Sequence, residues 1–445
     1  MKNSRATRWW PLLLPAALIL SACGGAEGNA DETIEEATGP FDWARYEGET
    51  IRVATLQYPW QEAISDRIPE FEELTGIEVE MDSLPEQQFR QRLQVELTTG
   101  AGDIDVFATS PQNDSARFAE LGWYQDLNLL LESESLTHPD YDVDDFADDL
   151  IESQTLDGEL LSLPTVVETQ IFFYRPSILE DHGLEVPSTV ADLESAAETI
   201  SDDGEVIGWA TRGKRDAAVT QFASFLYNYG AEYTDEEGYA AFDSSEGIEA
   251  FEAYGRLLRE YGPEGSANNS WEELLALFQQ GQVAMWADNS GQVASVLDEQ
   301  VSSVADDVEF APMPAGPGGD SQTFFGWSAA ISPQSDRIGA AWLFLQWATS
   351  PDMVEELQVD EGVFGGREST PFGDDVPESF VEAFSTSLEN SRAQLPQVIP
   401  VPEVRDAIGQ AIVTAIEGGD VEGAVTAAAD EFDRIVDSQQ PPTEE

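Results

Sequence analysis

Cysteine occurs once in this chain of 445 residues, histidine twice, and lysine and arginine together account for 20 residues against 87 aspartates and glutamates. The single thiol, Cys23, excludes an internal disulfide and a cysteine metal cluster. The two histidines, His138 and His182, stand in loop-like contexts and leave few candidates for a Ser-His-Asp arrangement. Lys2, Arg5 and Arg8 all precede the apolar run 11–20, and beyond them Lys214 is the only lysine. Nucleic acid is therefore not an expected partner, because neutralising phosphates needs basic patches. The net charge of −67 is spread along the chain rather than packed into one block. It reads as a solvated, halophilic-like acidic surface, since high salt screens the self-repulsion of like charges.

What is present begins with a leader. A charged start followed by an apolar stretch too short to remain as a membrane span predicts a signal peptide over residues 1–22. The following L-S-A-C at 20–23 resembles a bacterial lipobox, which implies cleavage before Cys23, diacylation of its thiol, and a protein held at the outer face of the cell membrane or in the periplasm. Residues 23–47 are expected to form a flexible acidic tether, because 26–40 is aperiodic and rich in small residues. With 41% hydrophobic residues and 11 tryptophans, the rest can bury a large core, more naturally as two lobes than as one.

The stretch 270–289 carries helix, stop, strand and polar tip in succession. Ser270 with Glu273 forms a capping box, Trp271, Leu274, Leu275 and Phe278 recur at helical spacing, and Gly281 ends the helix. Residues 283–288 then alternate, which places Trp286 and Asp288 on one side of a strand. An aromatic ring beside a carboxylate suits an uncharged, hydroxyl-rich ligand, although a core tryptophan followed by a turn aspartate fits the same letters.

Earlier in the chain, alternating apolar residues at 51–56 and 77–81 and a short run at 105–108 predict strands, separated by helices over 60–75 and after Pro85. Strand and helix in that order build a mostly parallel sheet whose ligands lie beyond the strand ends, where Gln57, Tyr58, Trp60 and 110–112 stand. The aspartates of 140–149 lack the glycine turn and terminal glutamate of a calcium hand and are read as a solvated helix start. Residues 156–163 predict a hairpin on Asp157-Gly158. In 163–175, Glu168 and Gln170 interrupt an apolar run, so this segment is expected to line a cleft that satisfies them. Arg212, Lys214 and Arg215 form the one concentrated basic spot, 323–331 is a strand containing Trp327, and Gly365, Gly366 and Arg367 read as a turn with an exposed guanidinium. Helices are expected over 403–417 and 421–436.

From residue 50 to 436 the motifs resemble those of the extracellular solute-binding proteins, family 1, of bacterial ABC sugar importers, nearest the sorbitol- and mannitol-type branch. The carriers are P-E-Q-Q-F-R-Q-R-L and T-T-G-A-G-D-I-D-V-F within 85–107, L-P-T-V-V-E-T-Q-I-F-F-Y-R at 163–175, and R-G-K at 212–214. Y-G-P-E-G-S-A-N-N at 261–269, A-L-F-Q-Q-G-Q-V-A-M-W-A-D at 276–288, F-A-P-M-P at 310–314 and A-A-W-L-F-L-Q-W-A-T-S at 340–350 follow in the family's order. The resemblance implies an α/β, two-lobed periplasmic-binding-protein-like fold of type II, with three crossings near Val166, Phe325 and Pro377. It divides the chain into one lobe of 48–165 and 327–376, a second of 166–326 and 377–436, and a disordered tail over 437–445.

By correspondence of motif it places Glu168, Arg212, Trp286, Asp288, Trp327 and Arg367 at a sugar or polyol, with Gln57 and Gln112 added from the first lobe. Tryptophan rings would stack on C–H faces, carboxylates accept hydroxyl hydrogens and guanidiniums donate to hydroxyl oxygens. It further implies a monomer without cofactor or metal that docks on a two-subunit ABC permease with a cytoplasmic ATPase. A secreted glycoside hydrolase, using cleft carboxylates, is the competing reading.

Overall fold

A computed structural model describes residues 37–439 except 101–103, 236, 375, 390, 397, 399 and 400, so the leader, Cys23 and the end of the tail lie outside the described residues. Eleven strands are present in it, β1 Thr50–Leu56, β2 Glu78–Leu84, β3 Val106–Thr109, β4 Thr155–Leu156, β5 Glu159–Leu160, β6 Leu163–Tyr174, β7 Ile207–Ala210, β8 Val283–Asn289, β9 Glu309–Pro312, β10 Gln322–Ile331 and β11 Ser391–Ala393. Nine of them form one sheet with the path β2-β1-β3-β10-β6-β8-β7, with β11 on β10 and β9 on β6; β4 and β5 form the small hairpin around Asp157-Gly158.

The parallel part of each half follows the strand-helix alternation. β1 runs parallel to β2 and β3, connected by the helices Pro59–Thr75 and Glu86–Thr99. The first of these helices buries Trp60, Ile64 and Phe71 on one face and stops at Gly76, whose φ of 71° suits a residue without Cβ. On the other side of the molecule β7 runs parallel to β8, flanked by the helices Val190–Asp202 and Ser245–Tyr261.

Two long strands join these halves. β10 pairs antiparallel with β3 through Ser328–Ile331 and with β6 through Phe324–Ala329, while β6 continues to pair with β8 from Gln170 to Tyr174. The ladder thus runs from one lobe to the other, interrupted by a register shift between Trp327 and Ser328. Side-chain amides brace the junction: Thr323 Oγ1 donates to Gln170 Oε1 at 3.1 Å, and Asn289 Oδ1 accepts from Gln221 Nε2 at 2.9 Å and Gln394 Nε2 at 3.0 Å.

Burial separates the interior into distinct apolar clusters. One collects Ile51, Val53, Phe71, Phe107 and Leu343; another collects Phe172, Trp209, Phe222, Phe251 and Ile408. A third, smaller cluster holds Phe173, Phe278, Trp286, Phe364 and Phe380. Val363 packs in the first cluster, whereas Phe364 already packs in the third, well before Pro377. The expected tether is folded at its C-terminal end: residues 43–46 form a 3-10 turn, and Ala37, Phe41, Trp43 and Tyr46 pack on the first cluster. Arg45 fixes that segment by donating to the carbonyls of Thr38, Pro40 and Ser135. At the other end, the helix Val421–Gln439 continues past the position where the second lobe was expected to finish. No helix among the described residues is long and apolar enough to cross a membrane.

Candidate functional site

A cavity of about 710 Å³ opens between the lobes, and its wall draws on both. From the first half come Gln57 after β1, Arg90 of the Glu86–Thr99 helix, and Gln112 and Asp114 of the Pro111–Glu120 helix. From the second come Arg212 after β7, Asn289 at the end of β8, and Arg405 of the Val401–Ile416 helix. Glu168 and Trp327 reach it from the crossing strands β6 and β10. Strand ends and helix starts face this space because a parallel sheet delivers its carboxyl ends to one edge.

Trp327 is 9% exposed and is held as a platform. Its ring lies 5.8 Å from Tyr58 and 6.2 Å from Phe325, and the Arg90 guanidinium carbon stands 4.9 Å over its centroid. Arg90 is fixed by Asp114 at 2.8 Å and Glu86 at 2.9 Å, and Asp114 also accepts from the Ser110 backbone N–H at 2.9 Å. Thr165 Oγ1 donates to the Trp327 carbonyl at 3.0 Å and meets the Tyr58 hydroxyl at 3.2 Å. Burial pushes that phenol well above its ordinary pKa, so it remains a neutral hydrogen-bonding group. Gln112 is 2% exposed; its Nε2 donates to the Phe324 carbonyl at 2.8 Å, while its Oε1, also buried, has no partner among the described residues. A buried acceptor in a cleft wall is suited to an incoming hydroxyl.

On the facing side, Glu168 Oε2 accepts from Asn289 Nδ2 at 3.2 Å. Burial raises the Glu168 pKa, opposed by that hydrogen bond and by the Arg212 guanidinium. Gly291 leaves the carboxylate its place, for a Cβ there would come within 2.0 Å of Glu168 Oε1. Arg212 is locked to Asp288 through Nε, 3.1 Å from each carboxylate oxygen, and through Nη2, and the Tyr254 hydroxyl donates to the Arg212 carbonyl at 2.6 Å.

Of the residues expected at a ligand, Gln57, Gln112, Glu168, Arg212 and Trp327 line the cavity together. Three stand elsewhere. Trp286 is fully buried, its ring 4.8 Å from Phe173 and 5.4 Å from Phe278. β8 is covered on both faces, so alternation along it does not separate a core side from a cleft side, and only its last residue, Asn289, arrives at the opening. Asp288 is fully buried behind Arg212, positioning that guanidinium and standing back from the cavity wall. Arg367 is 4% exposed, not a guanidinium in solvent. The chain folds inward after Gly366, and Arg367 donates to the carbonyls of Thr349, Asp142 and Tyr141, pairs with Asp145, and lies 4.1 Å over Phe146. It ties together loops of the first lobe.

Sequence reasoning passed over Arg90, Asp114, Asn289, Arg405 and Trp271. Trp271, read as part of an apolar helix face, is 39% exposed and lines the cavity at the start of its helix, where the Ser270 N–H donates to Glu273 at 2.9 Å. The spacing of Glu86 and Arg90, one helical turn apart, was the visible signal for the Arg90 anchor.

Two α/β lobes with a polar, ring-floored cleft between them define a solute-binding protein of the periplasmic type. The chain belongs to the bacterial extracellular solute-binding protein family, whose model matches residues 48–355; this is a family of binding proteins, not enzymes. It is 28% identical over 402 residues to the erythritol/L-threitol-binding protein of Mycolicibacterium smegmatis, covering 84% of each chain. Similarity to the mannitol-binding protein of Pseudomonas aeruginosa is 29% over 332 residues, 72% of this chain and 74% of that one. Among solved structures, an ABC transporter solute-binding protein of Agrobacterium vitis with bound D-mannitol matches with a TM-score of 0.70 and 25% identity, covering 89% of this chain and 100% of that one. The maltose-bound MalE3 of T. maritima shares the fold with a TM-score of 0.75 at 24% identity, over 86% of this chain and 99% of that one.

Proposed function

We propose that this protein captures a polyol or sugar in the interlobe cleft and delivers it to an ABC importer. The observation that carries the reading is the convergence, on one cavity, of the Trp327 platform, the partnerless Gln112 Oε1 and the Glu168-Asn289 pair. Together they offer a flat apolar face and both kinds of hydrogen-bonding group, which is what a chain of alternating C–H and O–H groups requires. The polyol-binding relatives support that ligand class. Trp327 is assigned to stacking, Glu168 and Gln112 to accepting hydroxyl hydrogens, Arg212 to donating, and Gln57 to the rim.

Capture proceeds by closure of the lobes: contacts made from both walls favour the closed form, and that difference in affinity shifts the population. Residues 48–165 and most of 327–376 act as one body against 166–326 and 377–436, with Phe364 and Phe372 packed on the second body. The closed form docks as a monomer on a two-subunit permease with a cytoplasmic ATPase, retained at the membrane by lipid on Cys23. Calorimetric titration with erythritol, threitol, mannitol, ribitol and maltose tests the assignment. Saturable heat and a raised melting temperature with at least one polyol or sugar are expected; silence across the set, or product formation from an oligosaccharide, sinks it.

A further inference from the structure

Cations are rare in this chain, and nearly all of them are neutralised. Apart from Arg45, Arg117 and Arg405, every described arginine makes an ion pair with a carboxylate of the described residues. Arg45 is occupied by three backbone carbonyls. The other two both line the cleft, Arg117 from the Pro111–Glu120 helix of one lobe and Arg405 from the Val401–Ile416 helix of the other. In a chain with 87 carboxylates, the exposed Arg117 and the partly buried Arg405 thus face one cavity without an ion pair.

Arg405 is the more constrained of the two. Its Nη2 donates to the Asp216 backbone carbonyl at 2.7 Å, while its Nε is buried and has no partner among the described residues. Burial, together with the neighbouring Arg212 and Arg90 guanidiniums, lowers its pKa despite the Asp216 carboxylate, which marks a cation short of counter-charge. Val401 and Pro402 of the same helix also line the cavity, so the positive start of that helix faces the same space.

Resting on the polyol reading above, we propose that the preferred ligand is a sugar acid, a polyhydroxylated chain with one carboxylate that sits between Arg405 and Arg117. A guanidinium pairs with a planar carboxylate through two parallel, charge-assisted N–H bonds, which are stronger than the bonds it gives to a pair of uncharged hydroxyls. Four carboxylates also border the cavity. Glu86 and Asp114 are engaged by Arg90, Glu168 by Asn289, and Asp216 stands beside Arg405. They make a monoanion a better fit than a doubly charged phosphate ester.

Matched pairs that differ only at one terminal carbon test this: erythronate with erythritol, threonate with threitol, gluconate with sorbitol and mannonate with mannitol. Titrated into the full-length chain, at least one aldonate is expected to bind about tenfold tighter than its alditol. That ratio should shrink as NaCl is raised, and Arg405→Gln or Arg117→Gln should weaken the aldonate about tenfold more than the alditol. Equal or tighter binding of the alditol in every pair overturns the sugar-acid inference and leaves the polyol reading standing, as does equal weakening of both members by either variant. Preference for sorbitol 6-phosphate over gluconate overturns the choice of a monoanion. Failure of every member to bind overturns the sugar-acid inference, and the polyol-or-sugar reading falls with it only if ribitol and maltose are silent as well.

Discussion

The two walls of the cleft are built on different principles. On the Trp327 side most groups are mutually saturated: the ring is packed by Tyr58 and faced by Arg90, and Arg90 is neutralised by Asp114 and Glu86, with Gln112 Oε1 and Arg117 as the exceptions. On the facing side are a carboxylate with one side-chain donor, Glu168, and a guanidinium with a buried unpaired nitrogen, Arg405. A saturated wall is rigid before any ligand arrives and contributes shape; a wall with spare donors and acceptors contributes discrimination, because only a guest with matching groups completes it.

The largest expected effect probes the one fully formed ion pair on the discriminating side. Asp288→Ala strands the Arg212 guanidinium and should lower unfolding free energy by about 3–5 kcal/mol in urea denaturation, with loss of ligand binding as Arg212 loses its orientation. Stability close to wild type would show that Arg212 is better solvated than its burial implies. Arg367→Ala should cost about 2–4 kcal/mol, through the carbonyls of Thr349, Asp142 and Tyr141 left without a donor, while affinity at a temperature where the variant is folded changes little. A fall in affinity comparable to the loss of stability would return Arg367 to the ligand site.

Trp327→Ala removes the platform and should weaken binding by about 2 kcal/mol by calorimetry, much the same for every polyol that binds. If instead it changes the ranking among polyols, the saturated wall also discriminates.

Glu168 sets the pH test. Its pKa is raised above 4.5 in the folded protein, chiefly by burial, so the folded state holds that proton more tightly than the unfolded chain. The contribution is therefore fully present below the unfolded pKa and is lost as pH rises through the folded value. Glu168→Gln should flatten this part of the melting temperature profile, and identical profiles for the two proteins would contradict the burial argument. The smallest effect belongs to Gln57→Ala, an exposed rim residue, at about 0.5 kcal/mol of affinity or less.

Much of the architecture was legible because its signals are local. The alternation of 51–56, the stop at Gly76 and the polar interruptions at Glu168 and Gln170 each follow from period or turn chemistry within a few residues. Glu168 was legible as a cleft residue for the same reason: a carboxylate in an apolar strand needs an opening beside it. Trp286 misled because a strand covered on both faces carries the same alternation as one with a free face. Arg367 misled because a guanidinium after two glycines looks solvent-facing until loops far away in sequence offer it their carbonyls. Arg90 over Trp327 and Asn289 against Glu168 join residues more than a hundred positions apart, and no local pattern encodes such meetings.

The ladder that runs through β6 and β10 has a mechanical corollary. With no slack linker in these two passages, the lobe rotation proposed above would be absorbed as torsion of two hydrogen-bonded strands. The register shift in that ladder falls next to Trp327, so the indole proposed to meet the guest stands at its irregular step. On that proposal, contact at the ring and angle between the halves would be geared through one residue, without a relay.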